Sequence, residues 1–232
     1  MATYNGEKYL KVQLDSILSQ LKVTDEVIIS DDQSSDDTLE IIKSYKDSRI
    51  RLLTDKKFAS PIYNFENAIM NASGDIIFLS DQDDLWLPSK VSDMLEALNH
   101  SDIVVSNCYM GDEQLNIIKE SYFAWRDSKK GFVKNIIRNS YLGCCIAFKR
   151  KLLHRLLPFP KHIPMHDMWI GLISEIYYKP VFLQKQLMIY RRHGGNVTTM
   201  SADFISTSTL FNKFKFRLNL LASLLGRVLR II

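Results

Sequence analysis

The chain has 232 residues, 46% of them hydrophobic and 24% charged, with a formal net charge of +4. That is enough for one globular domain with a sizeable core and a small appendage, and the charge gives no argument for a nucleic-acid partner. Three cysteines (Cys108, Cys144 and Cys145) lack CxxC spacing and include a vicinal pair, which argues against a disulfide framework and for a reducing, cytoplasmic setting.

No apolar run reaches bilayer-spanning length, and the start Met1-Ala2-Thr3-Tyr4-Asn5-Gly6 does not read as a signal peptide. Tyr4-Asn5-Gly6-Glu7 reads as a turn opening a helix. Leu10, Leu14, Ile17, Leu18 and Leu21 then recur at helical spacing. Residues 26–30 form a short apolar strand that ends in Asp31-Asp32, and a helix follows over 39–45. A strand is predicted over 49–53 and a helix over 62–71, stopped near Gly74. Residues 76–79 make another buried strand, ending in Ser80-Asp81-Gln82-Asp83-Asp84. Pro88 suits a helix start, and Val91, Met94, Leu95 and Leu98 give that helix a core face. Residues 102–106 add a strand. Alternating strands and helices predict an α/β fold with a parallel, helix-covered sheet.

After residue 106 the texture changes. Residues 111–130 are polar, with Tyr122, Phe123 and Trp125 embedded. A short helix is expected over 132–137, a strand over 141–148 and a basic helix over 149–157, broken by Pro158. His166-Asp167-Met168-Trp169 leads into a helix through 176, strands follow at 181–183 and 187–190, and 191–196 reads as a charged, flexible loop. Residues 1–200 are taken as one domain with two halves, 1–106 and 107–200. Residues 201–232 are a separate tail. Phe214, Leu218, Leu221, Leu225, Val228 and Ile232 form one helical stripe there, beside Lys213, Lys215, Arg217, Arg227 and Arg230. A basic amphipathic helix fits an anionic membrane surface, here the inner face of the cell membrane, or packing on its own domain.

The chemistry centres on Asp81, Asp83 and Asp84. Carboxylates crowded at the end of a buried strand lie where open α/β sheets bind ligands. They repel one another unless a cation sits among them, and a hard divalent ion such as Mg²⁺ takes oxygen ligands together with substrate phosphates. Asp residues that merely cap the next helix are the plainer alternative.

Four segments stand in one order: residues 2–6, residues 30–38, residues 71–84 and His166-Asp167-Met168-Trp169. Together they resemble a family 2 glycosyltransferase of the GT-A fold, nearest the bacterial rhamnosyltransferase-like branch that builds cell-surface polysaccharides. The resemblance covers about residues 1–200. It implies a Rossmann-like, mostly parallel sheet flanked by helices. It also implies an inverting enzyme that moves a sugar, rhamnose among the candidates, from a dTDP- or UDP-linked donor to a glycan or lipid-linked acceptor. By the resemblance, Thr3, Tyr4, Asn5 and Glu7 line the nucleoside pocket, and Asp31 or Asp32 reads the base. Asp81 faces the ribose or donor sugar, and Asp83 binds Mg²⁺ or Mn²⁺ on the diphosphate. Asp167 is the catalytic base, although the family's usual Glu-Asp is here His166-Asp167. Residues 190–196 take the place of a loop over the diphosphate, with Arg192 on phosphate and His193 as a further metal ligand.

Relatives carry an apolar strand directly before the Ala2-Thr3-Tyr4-Asn5 motif. Here Met1 stands where that strand would end, so a truncated first strand and a reading frame opening upstream are expected. A catalytically impaired relative that acts as a binding or partner protein is the alternative from another class. A phosphoryl-transfer hydrolase ranks behind both, because Asp81 lacks the residues expected to follow an aspartyl-phosphate nucleophile.

Overall fold

The computed structural model describes residues 1–161, 163–195 and 210–229, and side chains are described for these except at 210–216. Two sheets are built. In the first, β1 (Ala2–Thr3) is followed by α1 (Glu7–Leu18), β2 (Val27–Asp31), α2 (Thr38–Ser44) and β3 (Ile50–Leu53). β1 and β3 both run parallel to β2, the central strand, with Ala2 opposite Ser30 and Val27 opposite Ile50. All five residues of β2 are buried, which explains its unbroken apolar run. Leu10, Leu14 and Ile17 of α1 face the core, as their spacing requires.

α3 (Pro61–Asn71) leads to β4 (Ile76–Phe78), β5 (Leu85–Trp86), α4 (Lys90–Leu98), β6 (Ile103–Gly111) and β7 (Ile117–Lys119). Next come α5 (Tyr122–Arg126), α6 (Phe132–Ile137), β8 (Ile146–Lys149), α7 (Leu153–Leu156), α8 (His166–Tyr177), β9 (Pro180–Arg191) and α9 (Leu210–Leu229). The second sheet runs β4-β8-β6-β9-β5, with β7 paired to β6. It is mixed: β4 and β6 lie antiparallel to β8, β6 is parallel to β9, and β5 is antiparallel to β9. The parallel character expected of the whole sheet therefore belongs to the first sheet and to the β6–β9 pair. β4, read as a parallel strand, pairs in the opposite sense. Burial makes both kinds of strand equally apolar, so sequence does not separate them.

Several boundaries shift. The strand expected over 141–148 begins only at Ile146, after a 3₁₀ turn at Gly143–Cys145. The basic helix over 149–157 is a 3₁₀ turn at Arg150–Leu152 followed by the four-residue α7. The two strands expected over 181–190 are one continuous β9, which takes in Arg191, so the charged loop starts a residue later. Trp86 and Trp169 are core residues, while Trp125 is half-buried.

β1 is short, as expected. The Met1 amine is buried and donates to the Ile28 carbonyl at 2.8 Å. Beside Met1, a cavity of about 530 Å³ separates Val27 and Ile28 of β2 from residues 76–78 of β4. The two sheets part along this line.

Of the tail, α9 packs on the domain. Leu220 and Leu224 are buried, and the Arg227 guanidinium lies 5.4 Å from the Trp169 ring and donates to the Leu157 carbonyl at 2.6 Å. Of the stripe read from sequence, Leu218 and Leu225 are exposed and Leu221 packs partly against the core; Leu229, outside that stripe, is exposed as well. No described helix is long and apolar enough to cross a membrane. The side chains of Lys213, Phe214, Lys215, Arg230 and Ile232, the residue 200 boundary and Asn196 lie outside the described residues.

Candidate active site

The site forms where the carboxyl ends of β2 and β4 meet the end of β9. Its first wall is the loop after β1, fitted against the loop after β2. Thr3 Oγ1 donates to Asp31 Oδ2 at 2.7 Å, and Ser34 caps the same carboxylate through N and Oγ, at 2.8 and 2.6 Å. Asn5 N donates to Ser34 Oγ and Asn5 Oδ1 accepts from Ser35 N, each at 2.9 Å. Glu7 Oε2 accepts from Asp37 N at 2.9 Å. Asn5 (φ 47°) and Gln33 (φ 60°) both hold the left-handed conformation that non-glycine residues avoid, one in each loop. Tyr4 is left with its ring exposed.

Asp31 and Asp32 are both buried but are used differently. Asp31 is fully closed in by Thr3 and Ser34. Asp32 accepts the backbone N–H groups of Phe58, Ala59 and Ser60 at 2.6, 3.1 and 3.1 Å, so it shapes the loop that starts α3, and it keeps 6% of its surface open.

The acidic loop is tied to this wall by a residue whose role was not foreseen. Gln82 accepts from Tyr4 N at 2.8 Å and donates to Tyr4 O at 3.0 Å, as a neighbouring strand would. A Cβ at Gly6 would come 2.5 Å from Gln82 Oε1, so a larger residue there would have to displace this amide.

The expected metal pair is brought together. His193 Nε2 and Asp83 Oδ2 are 2.8 Å apart, both largely enclosed. Arg191, a second residue not foreseen, braces them: Nε donates to Asp83 O at 2.6 Å, Nη1 to Glu113 O at 2.6 Å, and N to Asp84 Oδ1 at 3.0 Å. The guanidinium stacks 4.8 Å from the Tyr9 ring, which also lies 4.5 Å from His193. Arg192 is turned the other way, with Nη1 on Tyr190 Oη at 2.9 Å. The only sequence signal for Arg191 was its place in the 190–196 segment.

Charge crowding is severe. Burial, then the charges of Asp83 and Asp167, push the Asp81 carboxyl up to about 7. Burial and the neighbouring Asp83 and Asp81 push Asp84 well above the usual range. A divalent cation would relieve this repulsion, and the Asp83 oxygens with the His193 nitrogen offer it ligands at the cleft. Asp81, Asp84 and Cys144 also come within 4.8 Å of one another. That trio suits a hard cation poorly, because burial pushes the Cys144 thiol well above its usual range and a thiol must ionise to ligate.

Asp167 opens α8. Its carboxylate accepts from Met168 N at 2.5 Å and from Asn139 Nδ2 at 3.4 Å, and it also takes the Gly143 N–H. Burial outweighs these bonds and lifts the carboxyl to about 7. The Asp167 charge contributes to raising Asp81, so the two carboxylates lie near one another. Next to them His166 is buried, stacked 4.1 Å from Phe65, and held neutral by burial, which lowers it to about 3.

The model for glycosyl transferase family 2 matches residues 1–157. The chain belongs to this family. It is 28% identical over 225 residues to the dTDP-rhamnosyl transferase RfbG of Shigella flexneri, covering 88% of this chain and 75% of that one. It is 32% identical over 203 residues to the UDP-Glc:alpha-D-GlcNAc-diphosphoundecaprenol beta-1,3-glucosyltransferase WfaP of Escherichia coli, covering 85% and 78%. Among solved structures, residues 1–349 of S. aureus TarS in complex with UDP-GlcNAc align with a TM-score of 0.70 at 20% identity, over 94% of this chain and 64% of that one. The mannosyltransferase PcManGT from Pyrobaculum calidifontis, in complex with GDP-Man and Mn2+, aligns with a TM-score of 0.62 at 18% identity, over 99% and 62%. The fold is that of these glycosyltransferases, GT-A. The chain spans less than two thirds of the length of either solved relative.

Proposed function

We propose that this chain is a metal-dependent inverting glycosyltransferase, which takes a sugar from a dTDP- or UDP-linked donor to a glycan or lipid-linked acceptor in surface polysaccharide synthesis. The observation that carries the reading is the nearness of Asp83 and Asp167 to Asp81, close enough for both charges to raise its carboxyl, with the Asp167 carboxyl itself raised to about 7. A base tuned near the working pH is what proton abstraction from an acceptor hydroxyl requires.

Thr3, Tyr4, Asn5 and Glu7 shape the nucleoside pocket, with the exposed Tyr4 ring as a stacking face. Asp32 is favoured over Asp31 for the base, because Asp31 offers no accessible surface. Asp81 faces the ribose or donor sugar, and Arg192 serves the diphosphate after leaving Tyr190. Asp83 and His193 hold Mg²⁺ or Mn²⁺, which when bound neutralises charge on the leaving diphosphate. Asp167 takes the proton of the acceptor hydroxyl. The freed oxygen bonds to the anomeric carbon, the carbon–oxygen bond to the diphosphate breaks, and its electron pair leaves on the phosphate oxygen. The exposed leucines of α9 rest on the inner face of the cell membrane, near a lipid-linked acceptor.

The test is nucleoside-diphosphate release from a panel of dTDP- and UDP-sugars, with and without Mn²⁺, in the presence of polyprenyl-diphosphate-linked sugar acceptors. Release that needs both acceptor and metal supports the reading. Donor binding without release from any pair favours the non-catalytic alternative.

A further inference from the structure

Lys90 is the first residue of α4 and is fully buried. Two physical terms oppose it there. A cation at a helix N-terminus faces the positive end of the dipole. An ammonium out of water carries a large desolvation cost. A methionine or leucine would fill the same volume at neither cost. Its contacts show what the ammonium holds. Nζ donates to the Cys144 carbonyl at 2.8 Å, touches Met188 Sδ at 3.1 Å, and lies 4.9 Å from the Trp86 ring.

Cys144 is the middle of the Gly143–Cys145 turn, and that turn is the floor under Asp167. Gly143 sends its N–H to the Asp167 carboxylate. A Cβ on Gly143 would stand 3.7 Å from Asp167 Cβ and 2.9 Å from His166 Nε2, so turn and base are in direct packing contact. The turn is short: its own backbone tie is Cys145 N to Leu142 O at 2.9 Å, and its thiols pack on Cys108, Asp84 and Met188. An ammonium on the middle carbonyl is the strongest restraint on it, since hydrogen bonds with an ionised partner are roughly twice as strong as neutral ones.

We propose that Lys90 is a positioning residue for the transfer reaction: by anchoring the Cys144 carbonyl it sets the turn whose Gly143 N–H orients the Asp167 carboxylate toward the acceptor hydroxyl. Lys90 reaches no substrate. Its main effect falls on the chemical step, because the bond its ammonium makes is to the turn under Asp167, while the nucleoside wall of Thr3, Asn5 and Ser34 is built from other elements. The inference rests on Asp167 being the base.

The test compares Lys90→Met, Lys90→Gln and Asp167→Asn with the unaltered chain. Rates are normalised to the fraction of protein that binds donor nucleotide. Gln is included because it is polar, yet its amide nitrogen sits one bond short of the lysine nitrogen and cannot reach the carbonyl. Both Lys90 variants should lower kcat about 10- to 100-fold, the scale of a base held in the wrong geometry, while donor Kd and donor KM stay within twofold. Asp167→Asn should lose transfer and keep donor binding. A folded Lys90 variant with kcat within twofold of the unaltered chain, beside an inactive Asp167→Asn, overturns the role of Lys90 and leaves the base in place. So does a Lys90 variant whose loss lies in donor Kd. Full transfer by Asp167→Asn overturns the base assignment itself and the Lys90 role with it.

Discussion

His193 Nε2 and Asp83 Oδ2 meet at 2.8 Å across 110 residues of chain. The contact joins the end of the second sheet's acidic loop to the residues just past β9, and Arg191 locks the same two segments through the Asp83 carbonyl. In the proposed metal site this pair would offer a cation one oxygen and one nitrogen. Asp83→Asn should abolish the metal-dependent part of donor binding, and His193→Ala should weaken it about 10- to 100-fold, the range for disturbing a metal's ligand shell. Donor titration by calorimetry with Mn²⁺ and with a chelator checks both. If the two variants bind donor as the unaltered chain does with Mn²⁺ present, the ligand assignment fails.

Asp167 links activity and stability to pH in opposite directions. The carboxyl titrates at about 7 in the folded chain against an ordinary 3.8. In its proposed role as base it must be ionised, so kcat should rise with pH through about 7 and level off above it. For stability, the folded state holds the proton more tightly than the unfolded state does. Stability is therefore present at pH 4 and lost as the pH climbs from about 4 to about 7. Asp167→Asn removes that loss. It should be inactive yet more stable than the unaltered chain at pH 8, by on the order of 2 kcal/mol, since the carboxyl keeps an edge open to solvent and the full shift is not felt. At pH 4 the two should unfold at nearly the same denaturant concentration. Urea midpoints at both pH values decide it.

Arg191 has only 5% of its surface exposed and supplies three bonds to two other segments. Arg191→Lys keeps the charge but loses the planar fork and the stacking on Tyr9. It should cost about 1–3 kcal/mol in thermal or urea unfolding, the scale for leaving buried acceptors unpaired, and should raise the donor KM with it. Equal stability and KM would show that the brace is dispensable.

The sequence carried those parts of the fold whose signal is local. The apolar run of β2, the helical spacing of Leu10, Leu14 and Ile17, and the Asp cluster after β4 are each legible without tertiary information. The direction of β4 was not, because a buried strand looks the same whether its neighbour runs with it or against it. The placement of Asp167 near Asp81 followed only from resemblance, since the 85 intervening positions offer no local cue. Gln82, Arg191 and Lys90 escaped notice for a related reason. Each acts through a backbone atom of a distant segment (Tyr4, Asp83 and Cys144), and a backbone acceptor leaves no mark in the residue code.

The last prediction separates the two faces of α9. Leu220 and Leu224 are buried, and Arg227 reaches the Leu157 carbonyl. Truncating either leucine to alanine should destabilise the domain by about 2–5 kcal/mol, as for other core leucines. On the opposite face Leu218, Leu225 and Leu229 are 49%, 62% and 69% exposed, an apolar strip with no covering element among the described residues. Changing all three to glutamate should leave the unfolding free energy, read from urea titration, within about 0.5 kcal/mol of the original, as surface substitutions do. If α9 lies on an anionic bilayer, the same triple change should abolish co-sedimentation with vesicles that contain phosphatidylglycerol, because it removes apolar contact and adds like charge. Leu220→Ala, measured where it remains folded, should still co-sediment. Unchanged vesicle binding by the triple variant would mean that α9 serves the domain alone, as a clamp on Trp169 and α8.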